Sequence, residues 1–169
     1  MALTGSFLVA KPTLNDPNFM QTVVLILAHN SEGAFGLIVN RPLKAKGLPF
    51  PVFDGGPCRS PGVVILHGHA DWVDPGAAGA QGSNQAIAPG IFVGDENCLA
   101  RASQAASDQD LRCRVYRGFA GWEGGQLERE LAHGDWAVVP ATGEMLFASP
   151  LDELWDQLVP PKIPQPSLN

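Results

Sequence analysis

Apolar residues along this chain fall into short runs and not into long helical stripes. "SFLVAKP", "TVVLILAHN", "FGLIVNRP", "GVVILHG", "IFVG", "RCRVYRGFAGW" and "DWAVVP" are rich in Val, Ile and Leu and bounded by Gly, Pro, Asn or Asp. That pattern predicts strands. The second and third runs are joined by "SEGA", where Gly33 can take the positive φ of a tight connection, so they predict a hairpin. Both arms are nearly continuously apolar, as expected of strands covered on both faces. Helical spacing is rarer. It predicts a helix through "ENCLARASQAAS" with Asp95 as its cap, one over roughly 125–133 with Leu127 and Leu131 on one face and Gly134 ending it, and one in "PLDELWDQLV".

The punctuation between these runs is as informative. "LNDPNF" is a turn, and "LKAKGLPFPVFDGGP" is a proline-broken connection. Residues 70–90 have no period and read as a long surface loop. Strands outnumber helices and are often joined directly, which predicts an α+β fold with much antiparallel pairing. Residues 1–158 form one expected domain, and 159–169 a proline-rich flexible tail.

Composition narrows the function. At 169 residues, 45% hydrophobic and 17% charged, the chain can bury a core. Its net charge of −6 and the scatter of its 11 basic residues disfavour direct nucleic-acid binding, which needs phosphate neutralisation. Cys58, Cys98 and Cys113 have no metal-type spacing, and an odd count without a secretion-type leader suggests a reducing, cytoplasmic setting. No apolar run approaches the ~20 residues of a membrane span.

Several stretches carry chemistry worth weighing. His67, His69 and Asp71 in "HGHAD" resemble the start of a binuclear metal-hydrolase site, but Trp72 stands where a further histidine belongs. A strand end carrying two histidines is the main reading, and metal hydrolase the alternative. "GAAGAQG" lacks the following Lys-Ser/Thr of a phosphate loop, and no G-x-S-x-G is present. Glu128 and Glu130, two apart on a helix, point to different sides and make a poor acid–base pair. His29 and Asn30 end one hairpin arm, Asn40 and Arg41 the other, so the register could gather polar groups at the sheet margin. Arg41 could hold a ligand carboxylate bidentately, or pair internally with Asp16 or Asp54.

"GFAGWEGGQLERE" raises a parallel question. Unpaired N–H groups at the start of the Gln126 helix suit an anion, and Trp122 could stack on it. The competing account makes the stretch a corner of the fold: Gly121 lets the backbone turn, Trp122 plugs the core, and Gln126 or Glu128 satisfies donors of the hairpin. Glu123 at the helix entrance favours that account, since it would repel an added anion.

"PTLNDPNF", "HNSEGAFGLIVNRP", "GGP" at Gly55 to Pro57, "LH" at Leu66-His67 and "GFAGWEGGQLERE" occur together, in this order, in the YqgE/AlgH family of bacterial proteins. The chain resembles that family from about Gly5 to about Leu158. The resemblance implies a bent, split, mainly antiparallel sheet approaching a barrel, with a few flanking helices. It brings no established activity or cofactor; some members are labelled transcriptional regulators. Compared with that pattern, the 43–54 connection is short, Cys58 replaces Val, Phe119 replaces Tyr and Gly124 replaces Pro. The reading is a non-enzymatic binding or regulatory module with a protein or small-molecule partner, no metal and no cofactor. Its cleft candidates are His29, Asn30, Asn40, Arg41, Gly55, Gly56, His67, Gly121, Trp122, Gln126 and Glu128.

Overall fold

The computed structural model describes residues 3–43, 52–72, 85–94, 96–104, 111–148 and 150–159. Its elements are, in order, β1 (Ser6–Ala10), β2 (Val23–Asn30), β3 (Gly33–Ile38), β4 (Pro42–Leu43), β5 (Val52–Asp54) and β6 (Cys58–His67), then a 3-10 turn at Ala70–Trp72. There follow β7 (Gln85–Ala88), β8 (Ile91–Gly94), α1 (Glu96–Gln104), β9 (Cys113–Glu123), α2 (Gln126–His133), β10 (Trp136–Pro140), α3 (Gly143–Ala148) and α4 (Leu151–Leu158). The strands form one sheet in the order β10-β1-β2-β3-β9-β6-β8-β7, with β5 beside β9 and β4 on β5. Among the described residues every pairing is antiparallel except β5 with β9. The architecture is the expected α+β one, a nearly closed barrel with one seam.

β9 makes the bend. Its end, Ala120–Glu123, pairs with β3, while Cys113–Arg117 pair with β6, so one strand serves both halves of the sheet. At the seam the two ends of the sheet come close: a Cβ on Gly5, beside β1, would lie 2.4 Å from the Ile87 carbonyl oxygen of β7, and Gly143 N–H donates to the Pro89 carbonyl at 2.7 Å. The predicted hairpin forms with Asn30 opposite Gly33. Gly33 has φ 147°, and a Cβ there would lie 2.4 Å from the Trp122 carbonyl oxygen, so β3 can lie against β9 only with glycine at this point.

Burial divides the core by face. Phe7, Val9, Leu25, Leu37, Leu66, Tyr116, Leu146 and Leu154 fill the concave side under α3 and α4. Alternate residues of the same strands, Leu8, Val24, Ile26 and Ile38, pack outward with Trp122, Trp136 and Leu127 of α2. Both faces of β1 to β3 are thereby covered, although β2 opens at Ala28 and Asn30 towards the turn. Cys98, Ala102, Ile65, Cys113 and Val115 form a third cluster under α1. Each fully buried Leu, Ile or Phe contributes about 1.5–3 kcal/mol to folding. Tyr116 is fully buried and its hydroxyl donates to the Val39 carbonyl at 3.3 Å; burial holds its ionisation far above the ordinary range.

Five of the described elements depart from the expectations. The 70–90 stretch contains β7 and the 3-10 turn, β5 falls in the proline-broken connection, and β4 and α3 were not expected. β7 has only Ile87 as a β-branched residue, and its strand state comes from pairing with β8. Asp95, residues 44–51 of the proline-broken connection, 73–84 of the loop and 160–169 of the tail lie outside the described residues. Among the described residues, no helix is long and apolar enough to cross a membrane.

Candidate functional site

The corner after β9 is built around Glu130, a residue that the sequence presents only as half of a poor acid–base pair. Gly125 caps α2 in the left-handed region (φ 81°), and Gly134 ends it in the same way, its N–H reaching the Glu130 and Leu131 carbonyls. One turn into α2, Glu130 faces the sheet. Its Oε1 accepts the indole N–H of Trp122 at 3.1 Å and of Trp136 at 2.9 Å, and its Oε2 accepts from Gln126 Nε2 at 2.9 Å. The Gln126 Oε1 accepts the Glu123 N–H at 3.0 Å, closing the turn into the helix. Trp122 and Trp136 meet edge to face at 6.2 Å, and Phe19 packs on both at 6.0 and 5.7 Å. Trp122 is 6% exposed, so it has no open ring face on which a ligand could stack. Gly121, expected to turn the backbone, lies within extended β9 opposite Phe35.

The hairpin does not gather its four polar residues. Antiparallel pairing sets His29 beside Ala34 and Asn30 beside Gly33 at the turn, while Asn40 and Arg41 leave the far end of β3. Seven residues of extended chain separate those ends by roughly 20–24 Å. At the turn end, His29 Nδ1 accepts the Leu3 N–H at 3.0 Å and Nε2 meets Glu128 Oε2 at 3.0 Å. With Nδ1 accepting, the ring proton sits on Nε2 and is donated to the carboxylate. The N–H of Glu128 itself and then His29 hold the Glu128 carboxyl below its ordinary range. Asn30 Oδ1 accepts the Glu32 N–H at 2.8 Å.

At the other end, Asn40 bridges to β2: its Oδ1 accepts the Val23 N–H at 2.9 Å and its Nδ2 donates to the Gln21 carbonyl at 3.1 Å. The Arg41 guanidinium donates to the carbonyls of Asn18 (2.6 Å), Pro17 (3.3 Å) and Met20 (3.4 Å). Neither expected carboxylate pairs with it. Asp16 instead accepts the Asn18 N–H, and Asp54 the Gly56 N–H. Arg41 ties down the turn that delivers Phe19 to the tryptophans.

His67 and His69 belong to an aromatic stack. His67 is fully buried, with Phe92 and Trp72 at ring distances of 5.3 and 5.0 Å, and His69 stacks on Trp72 at 4.4 Å. His67 Nδ1 accepts the His69 N–H and His69 Nε2 the Arg112 N–H, so on each ring the remaining nitrogen carries the proton. Neither ring then offers a lone pair to a metal. Among the described residues no group of three His, Cys, Asp or Glu side chains could hold a metal ion.

The open concavity lies elsewhere, where β5 and β6 cross β9. Gly55 links three strands, donating to the Arg117 carbonyl at 2.7 Å and accepting the Ile38 N–H at 2.8 Å. Cys58 pairs with Phe119 and Val63 with Arg117, so residues 59–62 bulge from β6 opposite Gly118. The result is a groove of about 590 Å³ lined by Leu43, Gly56, Cys58, Arg59, Val63 and Arg117. Its floor is backbone on backbone: a Cβ on Gly56 would fall 2.3 Å from the Phe119 carbonyl carbon. A second concavity of about 660 Å³ beside Trp155 and Met20 is larger, but the Trp155 indole N–H that borders it already donates to the Ala10 carbonyl at 2.7 Å.

A profile of the AlgH-like family matches residues 7–162. The chain belongs to the AlgH-like family. It is 35% identical over 167 residues to a UPF0301 protein of Thioalkalivibrio sulfidiphilus, covering 90% of this chain and 85% of the relative. A UPF0301 protein of Chlorobaculum tepidum is 33% identical over 165 residues, with 92% and 84% covered. The solution structure of the AlgH protein from Pseudomonas aeruginosa superposes with a TM-score of 0.69 at 27% identity, covering 93% of this chain and 87% of that one. A crystal structure of a Corynebacterium diphtheriae protein gives 0.71 at 25%, with 92% and 85% covered.

In this AlgH-like chain, then, Gln126 joins the tryptophan corner, His29 and Glu128 meet at the hairpin turn, and Gly56 alone of the sequence candidates lines the groove. Glu130 was readable as the residue one turn after Gln126 on the face of α2 towards Trp122. Arg59 and Arg117 carried no signal, because nothing in the sequence foretells the bulge that sets them together.

Proposed function

We propose that this AlgH-like protein is a non-enzymatic binding module of the cytoplasm that holds a small molecule or a protein segment in the β5–β6–β9 groove. The observation behind this reading is the groove itself. It is open and concave, of a size suited to a small ligand, and lined by exposed arginines and apolar side chains over a close-packed backbone floor. The imidazoles of His29, His67 and His69 and the carboxylate of Glu130 serve structural hydrogen bonds, and these residues lie outside the groove. Three free cysteines fit a reducing compartment. With a charge of −6, any effect on transcription would run through a partner and not through DNA.

The test compares wild-type protein with Gly62→Phe, both purified from the native host and examined by native mass spectrometry and proteomics. Gly62 borders the groove and a Cβ there meets nothing within 4 Å, so the added ring fills space without disturbing the fold. A molecule or protein retained by wild type and lost from a normally melting Gly62→Phe supports the proposal. Equal retention by both would sink it.

A further inference from the structure

We propose that the groove recognises a small organic anion, a carboxylate or phosphate carried on a short apolar body. This rests on the groove being a binding site and names the chemistry it takes. Arg59 and Arg117 both line the groove and are exposed. Among the described residues neither guanidinium has an ion pair or hydrogen bond, unlike Arg41 and Arg112, which are held by backbone carbonyls. In a chain with six more acidic than basic residues, two unpaired guanidinia facing one cavity form a local positive site. Guanidinium forks match the paired oxygens of carboxylate and phosphate.

Asp54 also lines the groove and opposes an anion, so its position matters. Its Oδ1 accepts the Gly56 N–H at 3.1 Å, which ties it to the floor, and the lining side chains still sum to one net positive charge. The apolar part of the ligand is inferred from Leu43 and Val63, 39% and 38% exposed in the same groove. Val63 is the register partner of Arg117, so the two side chains rise from the same face of the sheet side by side. A cation beside an exposed aliphatic residue suits a molecule with an oxyanion at one end and hydrocarbon at the other.

The experiment is an NMR titration of the full chain, following backbone amides, with four probes at matched ionic strength: hexanoate, hexyl phosphate, hexanol and inorganic phosphate. Hexanoate or hexyl phosphate should shift the amides of Gly56, Cys58, Arg59 and Gly118 saturably, and whichever binds more tightly identifies the oxyanion. Hexanol should bind about tenfold more weakly, and Arg59→Ala or Arg117→Ala should weaken the anion about tenfold while leaving hexanol unchanged. Both arginines are exposed, so these variants should fold; a melting curve on each confirms it. If hexanol binds the groove as tightly as the anions, or both arginine variants bind anions like wild type, the anion inference is wrong and the groove reading survives. If no probe shifts these amides and Gly62→Phe retains everything wild type retains, both fall.

Discussion

Replacing Glu130 by alanine should destabilise the protein more than removing any other polar side chain on α2. The carboxylate is the common acceptor for two indoles at 3.1 and 2.9 Å and for Gln126 at 2.9 Å. Trp122 and Trp136 are 6% and 4% exposed, so both N–H groups would be left without a partner in a poorly hydrated place. Each such donor costs about 1–3 kcal/mol. Glu130 itself is half-buried, and water entering beside it recovers part of that, which leaves an expected loss of about 2–4 kcal/mol. For a chain of this size the melting temperature should fall by roughly 5–15 °C. Glu130→Gln should cost less, about 1–2 kcal/mol. Its oxygen can still serve both indoles, but its amide then faces the Gln126 amide, and Gln126 cannot flip without losing the Glu123 N–H. Urea denaturation followed by tryptophan fluorescence gives both values and reports on the affected rings directly. An alanine variant within about 0.5 kcal/mol of wild type, the range of an ordinary surface change, would refute the role given to Glu130.

Arg41→Ala should cost about 1–3 kcal/mol by freeing the 17–20 turn and loosening Phe19; a wild-type melt would show that the three carbonyl contacts contribute nothing. Glu128, held below its ordinary value of 4.5 by its own N–H and by His29, stabilises the fold above that value, and the contribution is lost as pH falls through the lowered pKa. The stability gap between wild type and Glu128→Gln should therefore close on acidification below pH 4.5, measured by urea melts, and a constant gap would refute the link. His133 runs the other way: Asp135 raises it above 6.5, so its contribution is full below that pH and lost as pH rises through the raised pKa. Asp135→Asn should remove that decline. Because the acceptor nitrogens of His67 and His69 are occupied, added zinc or chelator should leave the melting temperature unchanged; one zinc per chain lost in His67→Ala would revive the hydrolase alternative.

Much of the fold was legible because its strands are dense in Val, Ile and Leu and its turns carry the residues that turns demand. β2 and β3 were readable together, since Gly33 marked where they join. β7 and α3 were not: four and six residues are too short to show a period, and each is held by tertiary contacts at the seam. The candidate site was less legible for a related reason. Sequence proximity suggested that His29 and Arg41 close the same margin, yet antiparallel pairing sends one to the turn and the other to the open end. Trp122 was visible as a large ring in a glycine-rich stretch, but whether it fills the core or faces a ligand depends on Phe19, more than a hundred residues earlier, and on Trp136.

The residues that identify the family and those that line the groove are largely different sets, and the geometry explains why. Gly33, Trp122, Gly55 and Gln126 stand in the shared motifs, and each occupies a place where two backbones touch or a buried donor needs an acceptor. Such positions tolerate few side chains whatever the protein binds, so their recurrence marks the bend of β9 and its packing under α2. Arg59, Val63 and Arg117 face open space, where packing dictates nothing and any polar or apolar residue would fold equally well. A ligand could select residues there without disturbing the sheet. The shared motifs thus specify the scaffold, while Arg59, Val63 and Arg117 around the bulge at 59–62 lie outside the packing constraints that fix the bend of β9.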